Sequence, residues 1–467
     1  MTMKKILATV MSAVLMVGLI SGCAGKGNQE TSEQVTVRIG GWPYETNKEE
    51  YARMNQVKEK FEAENPNIKI VPDDWQFDLD NFLPKAAAGQ LPDAYVTSLT
   101  EIKRIISSGY ASDISKYMKK YKYTDYLRDY ILNVISDEDG KIYAVPTTGY
   151  MMGLLVNMTL FREAGLLNED GTPKVPETWE QVAEFAQTIK EKTGQAGFAM
   201  ATMNNVGGWH FMNIAWSHGV TPEFAKQENG KWVADFATPE GVAALQYVKD
   251  LKWKYNAVPE NALLDFDEMY KMFATNRVGM MMADPPLGAL VNSYGMDKSN
   301  EGAVSMPAGP KGRYTQIGSS LYVFRNGVTD EQIDAIFKWL EFNGYSPEIN
   351  EAQKENIESR YKVQNERNQI VAVKPYGQWK DDKLAPVKQY ENEIIDTYTN
   401  VDARMFADFQ KFDKVTPLSE PPVCCQQLYS LLDGCIQKVW TDQNANPEEV
   451  LKKAASDYQV NYLDKMK

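Results

Sequence analysis

The chain has 467 residues, of which 43% are hydrophobic, and its 50 basic and 63 acidic side chains give a net charge of −13. This length exceeds one ordinary domain, so two lobes with separate cores are expected. Strong acidity without a basic run argues against a nucleic-acid-binding protein, because phosphate contacts require clustered lysine and arginine.

The N-terminus has the pattern of a secretion signal followed by a tether. Residues 6–20 are uncharged and follow two lysines, and this run is shorter than the about 20 residues that a membrane-spanning helix needs. The next residues, "ISGC", resemble the lipobox of bacterial lipoproteins, whose cysteine becomes the first mature residue and carries lipid on its sulfur. The resemblance implies a signal peptide at 1–22 and a lipidated Cys23 on a flexible tether at 23–34. A cleaved signal with an incidental cysteine is the alternative.

The first part of the mature chain alternates strand and helix patterns. "VTVRIGGW" and "IKIVP" predict strands, and "YARMNQVKEKF" between them has the apolar spacing of a helix. "LPDAYVTS" predicts a further strand that ends at Thr97 and Ser98. Such alternation predicts an α/β unit with a largely parallel sheet. Ligands bind at the carboxyl ends of such strands, which points to these two hydroxyl residues and to the turn carrying Trp42 and Tyr44.

Helix-capping signals mark the central part of the chain. Thr178, Thr238 and Thr329 each precede an amphipathic run and are predicted to cap helix N-termini. The last third, from about residue 345, is mostly helical in pattern.

The cysteines and histidines give little evidence for a catalytic site. Cys425 and Cys435 would lie about 15 Å apart on one helix, too far for a disulfide. Buried free thiols are therefore expected for these residues and for Cys424, and without a nearby histidine they make a poor zinc site. No nucleophile elbow or glycine-rich phosphate loop accompanies His210 and His218.

Seven motifs in a fixed order resemble one protein family. They are the lipobox, "FEAENPNIKI", "AAGQLPDAYV", "DGKIYAVP" followed by "LLVNMTLFREAGL", "PETWEQVAEFAQTI", "FATNRVGMMMADPP", and "GSSLYVFRNG" followed by "DAIFKWLEF". In this order they are similar to the extracellular solute-binding proteins of ABC importers, family 1, the maltose-binding-protein-like carbohydrate group. Past the N-terminal signal, the resemblance covers residues 35–345.

The resemblance implies an α/β fold with two lobes, the periplasmic-binding-protein-like fold of type II. Strands cross between the lobes as a hinge, and the ligand lies in the interlobe cleft. The implied division puts 35–147 and 284–345 in lobe 1 and 148–283 and 346–467 in lobe 2, with crossings near Thr147-Thr148, Ala283-Asp284 and Phe324-Arg325.

A sugar site needs planar aromatic faces for C–H groups and polar side chains for hydroxyls. The family's contact positions and the strand-end rule together select a candidate set. In it His210 is expected to donate a hydrogen bond to sugar, Trp75 to stack at the rim, and Asp284 to lie at a crossing, with a helix N-cap as its alternative. The predicted ligand-binding residues are Trp42, Tyr44, Trp75, Thr97, Ser98, Tyr150, Trp209, His210, Asp284 and Ser319.

One segment has partial calcium-loop spacing. Asn168, Asp170, Gly171 and Glu177 fall at ligand positions, but the first position would be Leu166, which cannot bind calcium. A plain turn is favoured, and no metal site or cofactor is predicted.

The sequence therefore predicts a carrier rather than an enzyme. It would bind a carbohydrate, with an oligosaccharide favoured, and deliver it to an ABC permease. It would work as a monomer anchored through Cys23 on the outer face of the cytoplasmic membrane, with a Gram-positive envelope favoured. The same fold binding a peptide or polyamine is one alternative. A secreted glycan-degrading enzyme is another, although the carboxylate clusters at 73–74 and 137–139 fall in predicted surface turns.

Overall fold

A computed structural model describes residues 34–466, so the predicted signal peptide, Cys23 and nearly all of the tether lie outside the described residues. The strands are β1 Val35–Ile39, β2 Ile68–Pro72, β3 Ala94–Ser98, β4 Ala144–Met151, β5 Gly153–Asn157, β6 Ala196–Ala199, β7 Ala225–Glu228, β8 Lys231–Ala234, β9 Val278–Ala283, β10 Glu301–Val304, β11 Ala308–Gly309, β12 Gly312–Phe324 and β13 Thr416–Leu418.

The α-helices range from one to five turns. They are α1 Lys48–Glu64, α2 Leu79–Ala87, α3 Ile102–Ser107, α4 Ser115–Lys120, α5 Tyr123–Tyr126, α6 Asp129–Ile135, α7 Met158–Glu163, α8 Trp179–Thr193, α9 Val206–His218, α10 Pro239–Trp253, α11 Phe266–Ala274, α12 Gly288–Asn292, α13 Asp330–Phe342, α14 Glu351–Glu366, α15 Pro386–Tyr398, α16 Cys425–Thr441 and α17 Pro447–Asn461. Within residues 34–466, no helix is long and apolar enough to cross a membrane.

The first sheet forms the first lobe together with the helices packed on it. Its strands β1, β2 and β3 are parallel, as the strand–helix alternation predicted. β12 is antiparallel to β3 and to β4. Alternate residues of β1, Val37 and Ile39, are buried, and α1 and α13 meet above them through an edge-to-face contact of Phe61 and Trp339 at 5.3 Å.

The second sheet has the strand order β10–β5–β9–β6 and forms the second lobe. Its central strands are buried throughout because their alternate residues enter different cores on the two faces. Leu154 and Met280 pack in the core that includes residues of α8, α9, α10 and α16, whereas Leu155 and Met281 pack with residues of α11.

The paired strands β4 and β12 connect the two lobes. They run antiparallel from Ala144 opposite Val323 to Met151 opposite Ile317. At the far end, the hydroxyl of Thr315 donates a hydrogen bond to the carbonyl of Met152, the one residue between β4 and β5. The middle of this pair therefore spans the space between the two sheets.

Two segments lie in a different lobe from the one expected. β10 pairs with β5, with Glu301 opposite Asn157, so the chain between β9 and β12 joins the second sheet and not the first. Residues of α14 and α15, among them Ile357 and Ile395, pack in the first core and not the second. Long-range strand pairing and helix docking decide these assignments, and neither leaves a local pattern in the sequence. Within the C-terminal third, α16 and α17 do pack in the second core.

The predicted capping threonines occupy helix N-caps. The side chains of Thr178, Thr238 and Thr329 each accept a hydrogen bond from the backbone N–H three residues later. Thr329 and Gln332 form a reciprocal capping box. Thr178 and Gln181 do not, because the side chain of Gln181 accepts the N–H of Glu177 and not that of Thr178.

Candidate functional site

An aromatic wall lies where the hinge strands pass between the lobes. We define it by four residues: Tyr150 of β4, Trp209 of α9, and Phe266 and Tyr270 of α11. The ring of Trp209 is 6.2 Å from that of Tyr150 and 6.2 Å from that of Phe266, and Phe266 is 5.2 Å from Tyr270. Each of the four side chains is only partly buried, so a ligand can reach their exposed faces.

The N-terminus of α9 is held in place by α16, and this positions Trp209. The carboxylate of Asp433 accepts hydrogen bonds from the backbone N–H groups of Asn205 and Gly208, both at 2.7 Å. A Cβ atom at Gly208 would lie 2.5 Å from the Cα of Tyr429, so glycine is required for the close approach of the two helices. The sequence "NNVGGW" thus places a tryptophan on a first turn fixed by neighbouring structure.

Two carboxyl groups lie beside this wall, and a third lies near one of them. Asp284 follows β9. Part of its side chain is exposed to water, but protein surrounds most of the carboxyl group, and the resulting desolvation raises its pKa to about 7. Half-buried Glu420 accepts a hydrogen bond from the Tyr429 hydroxyl at 2.8 Å, but desolvation outweighs that bond and raises its pKa to about 7. Desolvation also raises the pKa of Glu101, which follows β3 in the first lobe.

The charges of these groups act on one another. Desolvation raises the pKa of the Tyr150 hydroxyl, and the charges of Glu420 and Asp284 raise it further. The charge of Glu101 acts on Glu420 across the cleft. The first lobe, the hinge and the second lobe therefore contribute groups to one site.

A fourth carboxylate lies on β10, opposite Asn157 of β5. Glu301 of β10 is fully buried, and its Oε1 accepts the backbone N–H of Leu287 at 2.8 Å. Desolvation first, and then the charge of Asp284, raise its pKa to about 7. Among the described residues, its Oε2 atom has no hydrogen-bond donor.

The structure brings four of the predicted site residues together. Tyr150, Trp209 and Asp284 line the same cleft, and Ser319 lies beside them on β12 opposite Gly149. The hydroxyl of Ser319 donates to the carbonyl of Thr148, so it is largely buried and bonded to the hinge backbone. Asp284 does not cap α12, whose N-cap residue is Leu287.

Three further predicted contacts are buried, as Ser319 is. Trp42 is 1% exposed and stacks on Trp339 at 5.9 Å in the first core. His210 is fully buried beneath Trp209, where desolvation lowers its pKa to about 3, and neither ring nitrogen has a hydrogen-bond partner among residues 34–466. Thr97 is 5% exposed. Trp42 follows β1, Thr97 lies near the end of β3 and His210 lies in α9, and packing turns each side chain inward.

Tyr44 and Trp75 line a separate shallow depression at the carboxyl ends of β1 and β2. Tyr44 is 51% exposed, whereas Trp75 is partly buried with the Lys85 ammonium 5.4 Å from its ring. Ser98 is exposed, with its hydroxyl 2.8 Å from that of Thr100. None of the aromatic-wall residues lines this depression.

The partial calcium loop is held by its own protein contacts. Asp170 accepts the backbone N–H of Thr172 at 3.1 Å, and Glu177 pairs with Arg313 at 2.5 Å and Lys414 at 3.1 Å. Within the described part of the chain, no group of three or more histidine, cysteine or acidic residues is placed to hold a metal ion. Cys424, Cys425 and Cys435 are free thiols; Cys425 and Cys435 are buried as expected, whereas Cys424 is only partly buried.

Sequence reasoning missed the Glu101 and Glu420 carboxylates and the Phe266 and Tyr270 rings. Glu101 stands only three residues after Ser98, so the strand-end rule could have included it. Glu420 lies in the C-terminal third, where the motif resemblance ends, and no local signal marks it.

The family follows from a comparison with known proteins. Residues 45–346 match the model of the bacterial extracellular solute-binding proteins, and this match spans well over half of the chain. The chain therefore belongs to the family of bacterial extracellular solute-binding proteins, as the motif order predicted. Family and fold are those of substrate-binding proteins.

One relative and two solved structures illustrate the similarity. The multiple sugar-binding protein of Streptococcus mutans is 26% identical over 206 residues, which are 42% of this chain and 44% of that protein. Maltose-bound MalE3 of T. maritima is 19% identical, with a TM-score of 0.63 over 91% of this chain and 99% of its own. UgpB of Mycobacterium tuberculosis, in complex with glycerophosphocholine, is 16% identical, with a TM-score of 0.64 over 91% and 98%.

These comparisons differ in what they establish. The matched segment spans less than half the length of the S. mutans protein. The structural similarity extends over nearly the whole chain and confirms the predicted two-lobe fold.

Proposed function

We propose that this protein captures a carbohydrate in the interlobe cleft and delivers it to an ABC permease. The observation that carries the proposal is the aromatic wall with hydrogen-bonding carboxylates beside it at the hinge. Aromatic faces stack on the C–H surfaces of sugar rings, and carboxylate oxygens accept hydrogen bonds from sugar hydroxyls. Family membership and the sugar-binding name of the S. mutans relative support this ligand class.

The placement of the groups fits capture by closure of the lobes. Trp209 belongs to the second lobe, Glu101 to the first, and Tyr150 to the strand between them. A ligand that touches all three gains contacts only when the lobes approach, so it favours the closed form by its difference in affinity for the two forms.

Transport in this scheme requires no bond cleavage, and no catalytic residue, metal or cofactor is assigned. Lipidation of Cys23 would keep the protein, as a monomer, at the outer face of the membrane of a Gram-positive cell. The peptide or polyamine carrier and the glycan-degrading enzyme are retained only as outcomes of the test.

Thermal unfolding of residues 35–467 with panels of mono- and oligosaccharides, peptides and polyamines tests the proposal. A ligand at about 100 times its dissociation constant adds roughly 2.7 kcal/mol to the free energy of unfolding and raises the midpoint. A shift with carbohydrates only, and recovery of the intact sugar, is expected. Recovery of a cleaved sugar would indicate an enzyme, and a shift only with peptides or amines would overturn the carbohydrate assignment.

A further inference from the structure

A cavity of about 840 Å³ lies in the first lobe, between α1, α14, the start of α15 and residues 147–149 of the hinge strand β4. None of the aromatic-wall residues lines it, so it is distinct from the site described above. Its volume falls in the range of small-molecule sites in proteins, about 300–1,000 Å³. The buried side chains of Tyr322, Ile357 and Trp379 contribute to its lining. The cavity is therefore large enough for an organic molecule and offers it apolar surface.

A buried lysine belongs to the lining of this cavity. Lys388 of α15 is 6% exposed, and lysine is rarely buried to this extent without a partner. Its ammonium group donates a hydrogen bond to Oε2 of Glu391 at 3.1 Å. Desolvation lowers the pKa of Lys388, and the charge of Glu391 acts against this change. An ammonium group has three donors, and among the described residues Glu391 is its only acceptor, so two donors remain for water or a ligand.

Two cations share the carboxylate of Glu391. Arg360 of α14 pairs with its Oε1 atom, and the hydroxyl of Tyr361 donates to the same oxygen at 2.9 Å. Desolvation acts to raise the pKa of Glu391, but the charges of Lys388 and Arg360 lower it overall, so this carboxyl group is ionised at pH 7. The Lys388 end of the cavity therefore has one positive charge in excess.

The rest of the lining does not balance this excess. Its other charged side chains lie in more exposed positions and comprise three acids and three bases, Glu50, Glu64, Glu355, Arg53, Lys60 and Arg367. Their charges cancel. A positive charge in partly dry surroundings is unfavourable unless an anion accompanies it.

A second buried polar side chain lines the cavity. Gln378 is 6% exposed, and its amide group makes no hydrogen bond to any residue of the described chain. The backbone at this position is fixed, because the carbonyl of Gln378 accepts the N–H of Arg128 at 3.0 Å. The amide is thus presented from a held segment with both donor and acceptor available.

We propose that this cavity is a second ligand site, for an organic molecule that carries one carboxylate on an apolar body. The carboxylate would accept the remaining donors of Lys388 and neutralise the excess charge. The apolar body would lie along Trp379 and Tyr322, with Gln378 bonding to a polar group of the ligand. One excess charge matches a monocarboxylate and not a dianionic phosphate. This site goes beyond carbohydrate capture, since it uses none of the residues assigned to the cleft.

Calorimetric titration of the protein at pH 7 and low salt provides the test. The probes are three acids, each with its neutral amide: benzoate and benzamide, 4-phenylbutanoate and 4-phenylbutanamide, and hexanoate and hexanamide. We expect at least one acid to bind about tenfold or more tightly than its amide, because charge-assisted hydrogen bonds are stronger than neutral ones. Phenyl phosphate should bind more weakly than the best acid, and tighter binding of phenyl phosphate would overturn the carboxylate assignment.

Two variants remove the excess charge. Arg360→Gln leaves a neutral pair of Lys388 and Glu391, and Lys388→Met leaves a neutral pair of Arg360 and Glu391. Each should weaken acid binding about tenfold and change amide binding much less. Lys362→Met, at an exposed lysine of α14 outside the lining, is the matched control and should change neither affinity. Thermal midpoints show whether the variants fold, and the Arg360 side chain is 52% exposed, so Arg360→Gln decides if Lys388→Met does not fold.

Trp209→Ala separates this cavity from the interlobe cleft. It removes part of the aromatic wall and should leave acid binding unchanged, whereas lost acid binding would place the acid in the cleft and overturn the inference. Equal affinities of every acid and its amide, no binding of any acid, or undiminished acid affinity in Arg360→Gln would also overturn it. Carbohydrate capture is unaffected by each of these outcomes, because it is tested with other ligands.

Discussion

At the scale of single residues, the direction of a side chain decides its role. Trp42 and Trp209 both follow local patterns that pointed to the ligand, yet Trp42 is buried against Trp339 and Trp209 faces the cleft. The same contrast separates Trp209 from His210, its neighbour on α9. Two consecutive helical residues project about 100° apart, so one can face the cleft while the other faces the core.

For Trp42→Ala we expect loss of stability and not loss of a ligand contact. Removing a fully buried aromatic side chain leaves a cavity, which costs about 3–5 kcal/mol of unfolding free energy. Urea unfolding measures this change, and Tyr44→Ala, at a 51% exposed side chain, is the matched control with a small effect. Unchanged stability together with lost sugar binding would show that Trp42 contacts the ligand.

For Trp209→Ala we expect weaker binding of the ligand and not a large loss of stability. Loss of the stacking face should weaken binding of the carbohydrate about tenfold, since aromatic contacts contribute about 0.5–2 kcal/mol. Trp253→Ala, at an exposed tryptophan of α10, is the control that should leave affinity unchanged. Titration with the sugar that raises the thermal midpoint measures both, and equal affinities would remove Trp209 from the site.

Glu301 gives a prediction about pH. Its folded-state pKa of about 7 exceeds the usual 4.5, so the folded protein keeps a proton that the unfolded chain has lost between these values. Stability is therefore lost as pH rises from about 4.5 to 7. Glu301→Gln should raise the unfolding free energy on the order of 2 kcal/mol at pH 8 and leave it nearly unchanged at pH 4. Urea unfolding at both pH values measures this, and an equal effect at both would contradict it.

At the scale of elements, α9 and β12 hold the site through contacts with distant segments. α9 has two buried glycines at its start because α16 packs directly on it. On β12, Gly318 lies against the ring of Tyr150, which leaves no room for a side chain there. Only the neighbouring elements explain these glycines.

For Asp433→Ala we expect the first turn of α9 to lose its anchor. Two backbone N–H groups would lose their acceptor, one of them fully buried, at a cost of about 1–3 kcal/mol. Because Trp209 stands on that turn, sugar affinity should fall as well. Urea unfolding and titration measure the two effects, and Asp433→Asn, which keeps an acceptor, should lose less of both. Full affinity in Asp433→Ala would show that the anchor does not position Trp209.

At the scale of the whole molecule, two lobes are connected by the paired strands β4 and β12. Each lobe has its own core, and the site takes groups from both lobes and from the connecting strand. Such an arrangement permits closure with small backbone changes at the hinge, driven by ligand contacts to both sides.

We expect the bound carbohydrate to reduce the radius of gyration of the protein. Small-angle scattering with and without saturating ligand measures this, and a sugar that does not shift the thermal midpoint is the control. An unchanged radius with the ligand bound would mean that capture occurs without closure of the lobes.

The sequence by itself determined the family, the α/β class, the parallel strands β1–β3 and the capped starts of α8, α10 and α13. These follow from local signals: apolar periodicity, capping residues and motif order. Only the tertiary structure decided which lobe holds β10, α14 and α15, which candidate side chains face the cleft, and that Glu420 lies near Tyr150. The physical reason is that strand pairing, helix docking and side-chain burial depend on residues far apart in the chain, whose contacts leave no local pattern.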